Sequence, residues 1–163
     1  MVARLLASVA AILLGMACGL GPAAALSSSG SPPSVEREAA VDLALAADDA
    51  RRLAFLRNDA APLAGLYAPA LLKAETARLT IFAGRGTALE ETVAERRVVH
   101  SRVEAGRAEV VLALKGQSRR LAAGAAARPW SAFFRQTALE IAFFEGRWLV
   151  EGVQDLAPAS WWP

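Results

Sequence analysis

Apolar positions in residues 35–56, "VEREAAVDLALAADDARRLAFL", recur at three- and four-residue steps: Val35, Ala39, Leu43, Ala46, Ala50 and Leu53. This spacing predicts one apolar helix face, with acidic and basic residues on the other side. Ser34 is the candidate N-cap, and Glu36 sits in the first turn where a negative charge is favoured. Asn58-Asp59 ends the helix. "NDAAPLAGLY" then predicts a short second helical segment, with Pro62 tolerated early. A third helix is expected from about Leu71 to Ala83, with Leu72, Leu79 and Phe82 on one face and Gly84 and Gly86 stopping it.

After Gly86 the pattern changes from helical to alternating. "TVAERRVVHSRV" carries β-branched residues at Val93, Val98, Val99 and Val103. In "RAEVVLALKG", Ala108, Val110, Leu112 and Leu114 alternate with Glu109, Val111, Ala113 and Lys115. With Glu104-Ala105-Gly106 between them, the two stretches predict a hairpin. "GQSRRLAAGAAARP" reads as a strand extension followed by a loop. Beyond it, Thr137, Leu139, Ile141 and Phe143 alternate with Ala138, Glu140, Ala142 and Phe144; Glu145-Gly146-Arg147 turns, and Trp148, Val150 and Gly152 alternate with Leu149, Glu151 and Val153. Helices first and antiparallel strands afterwards predict an α+β fold, with N-terminal helices packed on a curved antiparallel sheet.

The two ends read differently. Residues 1–25 have one positive charge (Arg4), an apolar run from Leu5 to Leu20, then Gly21-Pro22 and Ala23-Ala24-Ala25. This is the layout of a secretory signal peptide cleaved near Ala25. A retained membrane anchor is the first alternative, although the run is shorter than the roughly 20 residues a spanning helix needs. A lipid on Cys18 is the second. "LLGMACG" resembles a bacterial lipobox, with Gly15 where Leu is preferred and Leu14 one step further back. Residues 26–34 form a flexible Ser/Gly/Pro linker, 35–155 the folded domain, and 156–163 an irregular aromatic tail.

The chain of 163 residues has length for one domain and one core. The formal net charge is only +2, and the arginine pairs are scattered, so no nucleic-acid surface is indicated. Cys18 is the single cysteine; cleavage at Ala25 would leave none, and the count of histidines and cysteines excludes a multi-ligand zinc site of their making. No phosphate-binding loop, dinucleotide fingerprint or nucleophile elbow is present. No cofactor is implied.

"LRNDAAPLAGLYAPALL" (56–72) and "FFEGRWLVEGV" (143–153) resemble stretches of the NTF2-like superfamily, an α+β cone fold that includes SnoaL-like cyclases and ketosteroid isomerases. "YAPALLKAETARLTIFAGRG" (67–86) is similar to segments of secreted actinobacterial proteins. The resemblance spans about residues 35–155 and implies a cone, often dimeric through its sheet. It puts Tyr67 near the mouth of the helical part. The isomerase pattern of a carboxylate base with a Tyr/Asp pair does not carry over, because no Asp follows Tyr67 into the strands. Asp48, Arg51 and Asp59 are the residue types of an epoxide-hydrolase cluster, but they lie on or just after the first helix and read as a solvated face. Tyr67 and His100 remain the weak catalytic candidates.

Aromatic residues gather late. Trp130, Phe134, Trp148, Trp161 and Trp162 are the candidates for contact with an apolar small ligand or a partner protein. Trp148 is expected as a core aromatic, and Trp148 and Phe143 are expected to close the open end of the cone. The favoured function is a non-catalytic binding or assembly module of the cell envelope or extracellular space. The alternative is an isomerase- or cyclase-type enzyme, and a homodimer is compatible with both. The membrane would be reached only through a signal anchor or the lipid on Cys18.

Overall fold

The structure, a computed structural model, describes residues 33–156. The signal segment, Cys18, nearly all of the linker, Trp161 and Trp162 lie outside the described residues. Helix α1 spans Pro33–Arg57, a 3-10 turn Ala61–Leu63, and helix α2 Pro69–Gly84. Four strands follow: β1 Thr87–Glu104, β2 Arg107–Ala122, β3 Ser131–Phe144 and β4 Arg147–Leu156. They form one antiparallel sheet in the order β1-β2-β3-β4, which does not close on itself. The α+β architecture expected from the sequence is present.

Both hairpin turns are two residues long with positive φ at each: Ala105 (48°) and Gly106 (76°), then Glu145 (49°) and Gly146 (84°). Such turns match the right-handed twist of the flanking strands. Arg147 therefore belongs to β4 and not to the turn. Strand β2 runs on through Gly116 to Ala122, the strand extension that the sequence suggested. A Cβ on Gly116 would lie 2.0 Å from the Thr92 carbonyl oxygen and 3.1 Å from the Phe133 ring. The absence of a side chain lets β1 approach beside its bulge between Val93 and Glu95.

One face of the sheet supplies Val110, Leu112, Leu114, Leu139, Ile141 and Val150 to the core. Helix α1 meets it with Ala40, Ala44, Ala47, Ala54 and Phe55; Leu63 and Leu79 complete the packing. The buried face of α1 thus differs from the predicted one, and Val35, Ala39 and Ala46 are exposed. The physical reason is composition. Alanines occur all round this helix, so several faces are nearly equivalent in hydrophobicity, and the one chosen lets the helix lie close to the sheet. Helix α2 uses the expected face, with Phe82 edge-on to Phe55 at a centroid distance of 5.3 Å. Residues Leu66–Ala68 run beside the outer edge of β4. Ala68 N–H donates to Val150 O (2.8 Å), and Val150 N–H donates to Leu66 O (2.9 Å).

Candidate functional site

At the end of the sheet bearing the β2–β3 loop, the apolar core gives way to charge. Asp48 and Arg51 come from α1, Glu75 and Arg78 from α2, Glu91 and Arg96 from β1, Arg135 from β3 and Asp155 from β4. Asp48 and Glu75 are almost fully buried. The reading of Asp48 and Arg51 as a solvated face is therefore corrected. A buried charge is stable only when paired, and these are. Arg135 donates to both Glu91 oxygens at 2.7 and 2.9 Å. Arg96 reaches Asp49 at 2.7 Å and Asp48 at 3.3 Å. Arg52 pairs with Asp48 at 3.4 Å and also with Asp49. Arg78 donates to Glu75 at 2.8 Å. Thr137 donates to Asp155 at 3.0 Å. Asp59 stands apart, exposed, accepting from Ala61 N–H.

Burial works against the charge of Arg135, but the hydrogen bonds it donates to Glu91 and the fields of Glu91, Asp155 and Asp48 outweigh it and raise its pKa. Arg135 is a fixed cation. Between these groups lies a cavity of about 140 Å³ whose walls include Arg51, Arg135, Asp155, Phe55, Phe82 and Leu89. Arg52, Arg78 and Glu91 also line it, giving four cations against two anions. A second cleft of about 400 Å³ shares Leu89, Glu91 and Arg135 and adds Arg119, Arg120 and Arg128. The Arg119 guanidinium sits 4.5 Å from the centroid of Trp130.

Tyr67 is 3% exposed, and its hydroxyl has no hydrogen-bond partner. It does not line the 140 Å³ cavity. Desolvation pushes its pKa far above the ordinary tyrosine value; Arg51 opposes the shift and Glu75 and Asp48 add to it. Tyr67 therefore stays protonated. His100 is exposed on the edge strand β1, opposite Val111. The structure does not bring Tyr67 and His100 together. Among the described residues, no group of three or more His, Cys, Asp or Glu is placed to hold a metal ion, and no helix is long and apolar enough to cross a membrane.

The aromatic contact candidates do not form one surface. Trp130 and Phe134 lie towards the loop end of the sheet and Trp148, paired with Phe143, at the β3–β4 turn, roughly 30 Å of strand beyond Phe134. Trp148 is half-buried against the core, as expected, and packs edge-on to Phe143 at 5.3 Å. Phe143, expected to close the open end of the cone, is 52% exposed. It sits beside the β3–β4 turn and lines a cleft with Pro69 and Ala70 at the start of α2.

No protein-family model matches the chain, and no curated protein matches it. Among solved structures, the chain is similar to the intermembrane space region of the chloroplast protein ARC6, with a TM-score of 0.65 and 19% identity over 75% of this chain and 97% of that one. It also matches a designed NTF2 protein with a TM-score of 0.38 and 13% identity, covering 74% of this chain and 98% of that one. The ARC6 likeness is one of fold. Helices followed by an unclosed antiparallel meander, packed on one of its faces, make this an α+β fold.

Proposed function

We propose that the chain is an exported NTF2-like module that binds a ligand or partner in the cell envelope or outside the cell, without catalysing a reaction on it. The observation that carries this reading is the state of the carboxylates around the 140 Å³ cavity. Glu91, which lines the cavity, has both oxygens occupied by Arg135; Glu75, which does not line it, accepts from Arg78 at Oε1 and keeps Oε2 without a partner. Asp155 accepts from Thr137 and faces Arg51 at 4.0 Å. A general base needs a lone pair free to take a proton from substrate. The cavity instead presents guanidinium groups and aromatic walls, which suit recognition. Export rests on the charge, apolar run and small-residue exit of residues 1–25.

The isomerase- or cyclase-type alternative draws support from one feature, the protonated Tyr67 in the electrostatic reach of buried Glu75 and Asp48. Equilibrium dialysis of the purified full-length chain against a mixed small-molecule extract, followed by mass spectrometry, separates the two. Compounds retained and recovered unchanged support the binding module. Retained compounds that are chemically converted by the wild-type chain, and not by Tyr67→Phe, overturn it.

A further inference from the structure

Arg51 is the charged side chain at this cavity that the fold leaves without a hydrogen bond. A guanidinium offers five N–H donors, and the side chain of Arg51 is only 14% exposed. The closest carboxylate oxygens are Glu75 Oε2, 3.8 Å from Nε, and Asp155 Oδ1, 4.0 Å from Nη1. Both lie beyond hydrogen-bond reach. The Nε atom is buried without a partner, and so is Glu75 Oε2. The neighbouring cations are committed: Arg135 to Glu91, Arg78 to Glu75 and Arg52 to Asp48 and Asp49. Arg51 is held in place on its apolar side by the Phe55 ring, 5.5 Å from the guanidinium carbon.

Buried donors without acceptors carry a desolvation cost that a two-oxygen acceptor relieves, most effectively in the bidentate geometry of a guanidinium–carboxylate pair. The cavity that Arg51 lines measures about 140 Å³. An apolar cavity of about 150 Å³ accommodates a molecule the size of benzene. Phe55, Phe82 and Leu89 supply an apolar wall, and the lining arginines outnumber the lining carboxylates. A bare inorganic anion would satisfy the arginine and waste the wall. A neutral apolar molecule would satisfy the wall and leave the arginine bare.

We propose that this cavity binds a small organic carboxylate, its carboxylate on Arg51 and its short hydrocarbon part against Phe55, Phe82 and Leu89. The proposal rests on the binding-module reading and names the ligand class of the same site. The adjoining arginine-rich cleft gives a longer acid room to extend past Arg135.

The test is an NMR titration of the ¹⁵N-labelled full-length chain with butyrate, n-butanol and inorganic phosphate in turn, read at the Arg51 Nε–H resonance. Assignment comes from its disappearance in Arg51→Lys. Butyrate is expected to move this resonance saturably, with n-butanol and phosphate at least tenfold weaker. Arg51→Met is expected to weaken butyrate at least tenfold, measured on the amide resonances of Phe82 and Leu89. If Arg51→Met does not fold, the wild-type titration decides by itself. No saturable shift with butyrate overturns the proposal. So does phosphate binding as tightly as butyrate, which marks a plain anion site, or n-butanol binding as tightly, which marks a plain apolar one. Failure here leaves the binding-module reading standing if dialysis still retains other compounds unchanged. Conversion of a retained acid would instead sink that reading while keeping Arg51 as its anchor.

Discussion

Tyr67→Phe removes one oxygen atom from a residue that is 3% exposed and whose hydroxyl has no partner in the protein. A buried polar group left unsatisfied costs roughly 1–3 kcal/mol, and exchanging it for an apolar group of the same shape recovers part of that. The ring of Tyr67 keeps its packing, so no cavity opens. The expected gain is about 1 kcal/mol, at the lower end because the nearby Arg51, Glu75, Asp48 and Arg78 form a polar surround. For a domain of this size that raises Tm by about 3 °C. Urea unfolding followed by tryptophan fluorescence measures the free energy, and calorimetry measures Tm.

The same residue makes a pH prediction. Tyr67 is the single tyrosine of the chain, so its phenolate absorbance reports one group. Its native pKa is raised from 10.0, chiefly by burial. The native state therefore keeps a proton that the unfolded state releases above about pH 10. The contribution to stability is complete below that pH and is lost as the pH climbs towards the raised native value. The native chain should show no phenolate near pH 10, and phenolate should appear together with unfolding at higher pH. Tyr67→Phe should flatten the part of the alkaline stability loss that this group causes. A variant destabilised by 1 kcal/mol or more, or a native phenolate titrating near pH 10, refutes the reasoning, since either means that the hydroxyl has an acceptor or solvent.

Gly116→Ala should destabilise by about 2 kcal/mol in urea unfolding, because the new Cβ meets the Thr92 carbonyl oxygen at 2.0 Å and a backbone atom cannot swing aside. Arg135→Met should cost about 3 kcal/mol by leaving Glu91 buried without its two hydrogen bonds, and adding Glu91→Gln should restore part of the loss in a double-mutant cycle. Phe143→Ser should cost about 1 kcal/mol in urea unfolding, since the half-exposed ring still packs edge-on against Trp148 at 5.3 Å. Intact-mass analysis of the chain recovered outside a bacterial expression host should give an N-terminus at Leu26; an acylated Cys18 would instead establish the lipid anchor.

The strands and hairpins were legible because β-branched alternation and the Gly106 and Gly146 turns both report short-range geometry. The apolar face of α2 was legible because Leu72, Leu79 and Phe82 are large. The face of α1 was not, because alanine marks burial weakly. The charged cavity was missed because an acid or an arginine on an amphipathic helix is normally solvated. A signal was nonetheless there. Glu75 fills the gap in the stripe Leu72, Leu79, Phe82, at the three- and four-residue steps that define its buried side. Arg135 likewise stands in the alternation that continues through Thr137, Leu139 and Ile141. What the sequence could not convey is that these interrupted stripes, from both helices and three strands, converge on one end of the sheet.

The β2–β3 connection separates two kinds of change. The β1–β2 and β3–β4 links are two-residue turns locked into their strands, whereas residues 123–130 cross between β2 and β3 as a longer segment carrying Arg128 and Pro129 to the arginine-rich cleft. Its backbone is tied by Ala123 N–H to Gly86 O at 2.9 Å, Ala125 N–H to Ala122 O at 3.2 Å and Arg128 N–H to Arg120 O at 3.2 Å. Insertions or exchanges in this segment would redraw the rim without shifting the register of any strand pair. Related chains could diverge in the acids they hold through this segment alone, while Arg51 and the core beneath it stay as they are.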